Sequence, residues 1–258
     1  MRMRIAVVTG ASSGLGREFV RQIAREGGID EIWAVARRKE RLLSLEKETG
    51  FRVRALPLDL TREDDRARYA ALLSEEKPDV RVLVNASGYA KFGGWADISL
   101  ADCTGMIDLN CTALAAMTQL TLPYLKKGSR VLEIASIAAF QPVPYLGVYA
   151  ATKAFVLSYA RSLGRELRPR GIAVTAVCPG WMKTEFFGRA DPKDEWIRFY
   201  DCFHDPRAVA ALALSDSRRG RDVSVHGTWT RCQRVLVKLL PHRLVMRAWE
   251  LEQHFPRK

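Results

Sequence analysis

Short apolar runs rich in β-branched residues recur along this chain, separated by longer stretches whose apolar positions return at helical spacing. Residues 5–9, 31–36, 51–58, 80–84, 130–135 and 171–178 are the runs, and 222–225 reads as a seventh. Continuous apolar runs of this length fit strands buried on both faces. The stretches between them predict helices over 17–25, 40–49, 61–74, 103–125 and 149–169, with Thr61 placed to cap the third. Regular alternation of strand and helix implies a parallel sheet with helices on both faces, a doubly wound α/β fold of about seven strands. Residues 1–227 are expected to form that single domain, and 228–258 a basic amphipathic extension packed on or beside it.

The stretch 103–125 carries small and apolar residues nearly all round (Ala113, Leu114, Ala115, Ala116, Met117, Leu120). A helix with so little polar face is buried on more than one side, here by the sheet and by a second subunit. Asn110 interrupts that wall, either as a satisfied core amide or as a functional group. Residues 185–205 mix aromatic and charged side chains after the end of the sixth strand. They are read as a substrate-covering element, with a plain pair of connecting helices as the alternative.

Composition narrows the classes. Apolar content of 48% and charged content of 27% over 258 residues describe a globular chain with room for one sizeable core. The net charge of +12 favours anionic ligands or surfaces without choosing among phosphorylated cofactors, nucleic acid and lipid. The positive residues are dispersed, with no nucleic-acid recognition motif, which disfavours nucleic-acid binding. Five cysteines at wide intervals form no C-x-x-C, and the four histidines do not pair at ligand spacing. No metal site is expected, and reduced thiols in a cytoplasmic protein are. The first apolar run is too short for a signal peptide, and no apolar stretch is long enough to span a bilayer as a helix.

Between the first strand and its helix stands Gly10-Ala11-Ser12-Ser13-Gly14-Leu15-Gly16. Strand, glycine loop and helix together aim free backbone amides and a helix N-terminus at a phosphate. The spacing Gly-x-x-x-Gly-x-Gly is neither G-x-G-x-x-G nor a P-loop. The second strand ends at Arg37-Arg38. In a dinucleotide fold an acidic residue there would bond the adenine ribose, whereas an arginine accommodates a 2′-phosphate. With Ser12 and Ser13 in the neighbouring loop, the pattern points to NADP(H) over NAD(H), although Arg37 also fits a solvated helix start.

The fifth strand ends at Ser136, after which Pro142 and Pro144 keep the chain from becoming helix. Tyr149 and Lys153 then lie four residues apart on one helical face. A phenol beside an ammonium, with a hydroxyl delivered from a strand end, suits proton transfer at an alcohol oxygen. A free tyrosine has a pKa near ~10, and a nearby positive charge favours its phenolate. A surface Tyr–Lys pair with an ordinary loop serine is the alternative for these residues taken alone.

Taken in order, these motifs resemble the short-chain dehydrogenase/reductase family over residues 4 to about 190. They are Thr9-Gly10-x-x-x-Gly14-x-Gly16, Asp59, Asn85-Ala86-Ser87-Gly88, Asn110, Ser136, Tyr149-x-x-x-Lys153, and Pro179-Gly180 with Thr184. The resemblance implies a Rossmann-like fold and ketone–alcohol interconversion with NADP(H). Tyr149 would be the acid/base and Lys153 would lower its pKa and hold the nicotinamide ribose. Ser136 would bond the substrate oxygen, and Asn110 would anchor a water leading protons to Lys153. Gly10, Gly14 and Gly16, with Ser12, Ser13 and Leu15, would border the phosphates. Asp59 and Leu60 would meet the adenine, while Asn85, Ala86 and Gly88 flank its ribose. Pro179, Gly180 and Thr184 would lie at the carboxamide end.

Two departures stand out. Ser87 pushes the glycine of the fourth strand end one place on, and the tail fits the family less well. That tail loosely resembles branches acting on fatty-acyl or steroid-like ketones. It is read as a dimer-packing or site-covering helix in a homodimer or homotetramer, with contact to an anionic membrane as the less favoured alternative. The competing functional class is a non-catalytic NADP(H) sensor on the same fold.

Overall fold

The computed structural model of this chain describes residues 2–191 and 196–255. Residues 192–195, within the stretch expected to cover a substrate, and 256–258 of the tail lie outside the described residues. The first half alternates strictly: β1 (Arg4–Thr9), α1 (Gly14–Glu26), β2 (Glu31–Ala36), α2 (Lys39–Thr49), β3 (Val53–Pro57), α3 (Glu63–Glu76), β4 (Asp79–Asn85). Then come α4 (Leu100–Ile107), α5 (Leu114–Thr121), β5 (Leu125–Ile134), α6 (Gly147–Leu167) and β6 (Ala173–Val177). The chain closes with α7 (Phe186–Ala190), α8 (Pro206–Arg218), β7 (Val223–Ser224), α9 (Thr228–Leu239) and α10 (His242–Glu252).

All seven strands pair in parallel, in the order β3-β2-β1-β4-β5-β6-β7. The order reverses between β1 and β4, where the crevice beyond the strand ends of such a sheet takes a ligand. Alternation along β1 explains the layers. Ile5 and Val7 enter one core with Leu73, Met117 and Val156, while Ala6 and Val8 enter the other with Phe19, Leu42 and Val209. Both faces of β1 are therefore dry, as its unbroken apolar run requires. Among the described residues no helix is long and apolar enough to cross a membrane.

Four boundaries differ from the pattern-based reading. The helix expected over 103–125 starts at Leu100 and is interrupted by one wide turn, Asp108–Ala113, with π geometry. Strand β5 starts at Leu125, five residues before its apolar run, because Leu125 pairs with Val80. Thr61 is not the cap of α3. Arg62 holds that position, and the Thr61 hydroxyl instead donates to Asp59 Oδ1 at 2.7 Å. The pattern also passed over α8, whose signals were present as Asp205-Pro206. The Asp205 carboxylate accepts from Arg207 N at 3.0 Å, and proline occupies the first turn, where its missing N–H costs nothing.

Candidate active site

The strand ends of β1, β4, β5 and β6 open into one cleft of about 1280 Å³. That volume exceeds what a single drug-sized ligand needs. One end is polar and glycine-lined, and the other is walled by aromatic rings.

At the polar end the chain leaves β1 through Gly10, which has φ +67°. A Cβ there would sit 2.6 Å from the Ala86 carbonyl oxygen, and one at Gly16 would sit 2.3 Å from the Gly10 oxygen. Only glycine lets β1, the start of α1 and the end of β4 approach this closely. Beside this loop Arg38 donates to Ser12 Oγ at 3.2 Å and to Ser13 Oγ at 3.0 Å. The same guanidinium and that of Arg41 hold the Glu185 carboxylate, which stands on the far side of the cleft just after Thr184. Arg37 lies 4.0 Å from Asp59, whose Oδ1 is already held by Thr61. Two serine hydroxyls and an arginine fork form a ready donor set for a phosphate.

The inner end is built by β5 and α6. Ser136 follows β5 with an extended backbone, and its Oγ accepts from Ala138 N at 3.2 Å, capping a short 3₁₀ turn. That bond uses only the acceptor side of the hydroxyl, whose hydrogen is left to bond the Tyr149 oxygen. Tyr149 and Lys153 stand one turn apart on α6, both buried and both lining the cleft. Lys153 donates to the Ile134 carbonyl at 2.7 Å, and its Nζ lies 5.7 Å from the centre of the Tyr149 ring. Burial pushes the Tyr149 phenol up to about 12, against the opposing pull of its hydrogen bond with Ser136. Burial also lowers Lys153 to about 8. Desolvation penalises the charged form of each group, so in the folded chain the phenol lies above its ordinary value and the ammonium below.

Every residue expected at the site lines this cleft except Asn85 and Asn110. Both asparagines are buried behind it. Asn85 donates to Thr118 Oγ1 at 2.9 Å and to Glu133 Oε1 at 3.3 Å. Asn110, inside the π turn, accepts from Tyr89 N at 3.0 Å and donates to Tyr89 O and to Thr152 Oγ1. Its side chain thereby ties the strand-end loop of β4 to the second turn of α6.

Several residues escaped the sequence reading. Glu133 is fully buried, its Oε2 lacks a partner, and burial pushes it up to about 7. Its signal was a lone carboxylate in the apolar run of β5. Trp249 of α10 stacks on Trp181 and donates from Nε1 to the Pro144 carbonyl at 3.1 Å. Gln253, fully buried, accepts from Arg198 N and Phe199 N and donates to Phe199 O. Nothing in the local pattern marks either of these two. Together they bind the tail to the aromatic wall, where Phe92, Trp181, Phe186 and Phe187 pack around Tyr149.

Comparison with known proteins agrees with this geometry. A family model described as short chain dehydrogenase matches residues 4–195. Serine 3-dehydrogenase of Agrobacterium fabrum is 36% identical over 184 residues, 70% of this chain and 72% of that protein. A solved short-chain dehydrogenase from Sphingobium yanoikuyae in complex with NADPH is 31% identical with a TM-score of 0.77. The match covers 92% of this chain and 95% of that one. The bulky-bulky ketone specific alcohol dehydrogenase from Comamonas testosteroni is 25% identical, with a TM-score of 0.72 and coverage of 93% and 94%.

Proposed function

This chain belongs to the short-chain dehydrogenase/reductase family, and from that premise we propose that it interconverts a ketone and a secondary alcohol using NADP(H). The observation that carries the reading is the meeting of Ser136, Tyr149 and Lys153 at one end of a cleft whose other end holds the glycine loop, Ser12, Ser13 and Arg38. When bound, NADP(H) supplies the hydride in reduction and accepts it in oxidation.

The glycine turns of Gly10, Gly14 and Gly16 leave room for a pyrophosphate against the N-terminus of α1. Arg38, with Ser12 and Ser13, would hold the 2′-phosphate, and Arg37 and Asp59 would border the adenine end. Lys153, which lines the cleft, keeps N–H donors beyond the one given to Ile134 and would hold a ribose hydroxyl. Thr184 and Pro179-Gly180 would meet the carboxamide.

Tyr149, kept protonated by burial, gives its phenolic proton to the substrate oxygen as the carbonyl is reduced, and takes one back in oxidation. Ser136, which bonds Tyr149, would turn its hydroxyl hydrogen to the same oxygen. Asn110 acts as a positioning residue, fixing Tyr89 and Thr152 around the trio. The rings of Phe92, Trp181, Phe186 and Trp249 exclude water and favour a bulky apolar carbonyl over a small charged one. Two copies would pair through the outer face of α6, where Ala151, Ala154 and Phe155 are exposed, as is Ile107 of α4, a helix packed against it. The five unbridged cysteines fit work in the reducing cytoplasm.

Steady-state oxidation of NADPH and NADH over a panel of steroid, acyl, sugar and quinone carbonyls tests the reading. Bulky apolar ketones should turn over with NADPH preferred, and Arg38→Ala should lower that preference by about 10–100-fold through loss of a charge-assisted phosphate contact. Tight NADPH binding without turnover of any carbonyl class would indicate a nucleotide sensor instead.

A further inference from the structure

Helix α9 buries one side and α10 half-buries one, and each leaves an apolar stripe exposed. On α9, Thr230 and Val237 face the body of the protein. The opposite stripe, Trp229, Cys232, Leu236 and Leu239, is exposed, Leu239 to 75%. On α10, Val245 and Trp249 are half-buried, with Gln253 buried just past its end, and Leu244, Ala248 and Leu251 are exposed at helical spacing. Isolated exposed leucines mean little, but similarly patterned stripes recur on two consecutive helices that both line the cleft.

These stripes flank the cleft. Trp229 and Ala248 are both exposed and both line it, so the apolar rim continues into the aromatic wall around Tyr149. The charge on the two helices is one-sided. Arg231, Arg234, Lys238, Arg243 and Arg247 stand against Glu250 and Glu252, five basic residues to two acidic. Of the five, Arg234 and Lys238 lie over the Phe140 ring and Arg231 donates to the Val225 carbonyl, while all but Arg234 are exposed. A second copy docked on this face through a two-fold axis would bring two positive excesses together. A bilayer carrying anionic headgroups matches both properties, leucine and tryptophan at the acyl boundary and arginine among the phosphates.

We propose that α9 and α10 form a docking face for an anionic lipid bilayer, which seats the mouth of the cleft on the membrane surface. With the ketone reductase reading above, that placement supplies the site with carbonyl compounds dissolved in lipid. The docking itself needs no turnover, so lipid binding and ketone reduction can fail separately.

The test is sedimentation of the full chain with vesicles of phosphatidylcholine alone or with added phosphatidylglycerol, alongside size-exclusion chromatography. Partition into the anionic vesicles should exceed that into neutral ones at least tenfold and weaken with added salt. The double variant Leu239→Glu, Leu244→Glu should lose that partition at least tenfold while keeping the wild-type elution volume. Arg243→Glu with Arg247→Glu, which leaves the apolar stripes intact, should lose the anionic preference as well. Equal binding to both vesicle types, no binding to either, or a retained preference in the arginine variant would overturn the proposal. So would a leucine variant that elutes as a smaller assembly, since the face would then join two copies of the chain.

Discussion

Two effects meet at the Tyr149 hydroxyl, and their balance decides which proton is available. Desolvation keeps the phenol protonated, at about 12, while Lys153 one turn away carries a weakened charge, at about 8. In the reductive direction the acid is then in its working form across the neutral range, and the first group to titrate on the alkaline side is Lys153. The pH profile of kcat/KM for ketone reduction should be level below that value and fall above it. A profile still rising above pH 8 would contradict this ordering. Glu133 carries a second prediction. Its folded pKa of about 7 lies above the ordinary carboxylate value, so the folded chain binds its proton more tightly than the unfolded chain does. Stability is then lost as pH rises from about 4.5 to 7, by on the order of 3 kcal/mol. Glu133→Gln should flatten that decline in urea melts at pH 5 and pH 8, and should be more stable than wild type at pH 8. An unchanged slope would count against an ionised buried carboxylate.

At the scale of elements, the loop from β1 into α1 is where backbone geometry is least negotiable. Gly10→Ala must place a Cβ at 2.6 Å from the Ala86 carbonyl at a φ that disfavours side chains. We expect a loss of about 1–3 kcal/mol in stability and at least tenfold weaker NADPH binding by fluorescence titration. Wild-type affinity in that variant would mean the loop does not approach the ligand. The same elements show what the sequence makes legible. Ile5 to Thr9 read as a strand because both faces of β1 are buried, and the glycines read as a turn because no other residue fits there. The trio on β5 and α6 was legible because four-residue spacing on a helix is a local property. Long-range ties left no such mark. Gln253 fastens residues more than fifty positions away, and Trp249 reaches Pro144 across the cleft. The π turn at Asp108–Ala113 was hidden inside a run whose composition fits an unbroken helix. The sign of the pKa shift at Tyr149 was also out of reach, since it depends on burial depth rather than on which residue stands nearby.

At the scale of the whole molecule, the sheet order places every strand end that matters on one edge, and the tail closes the cleft from outside. The family model ends at residue 195, so α8, α9 and α10 lie beyond the stretch it matches. Trp249, which stacks on Trp181 in the aromatic cluster around Tyr149, comes from that portion, and under the proposed function substrate choice depends partly on the tail. The claim on which the account rests is that the Tyr149 phenol transfers the proton in ketone reduction while the cleft binds NADPH without it. Single-turnover reduction by the Tyr149→Phe variant, measured beside its NADPH affinity, tests this most directly. The account predicts a rate lower by about 10²–10⁴-fold with NADPH affinity within a few-fold of wild type, whereas a variant that reduces ketone at the wild-type rate would contradict it.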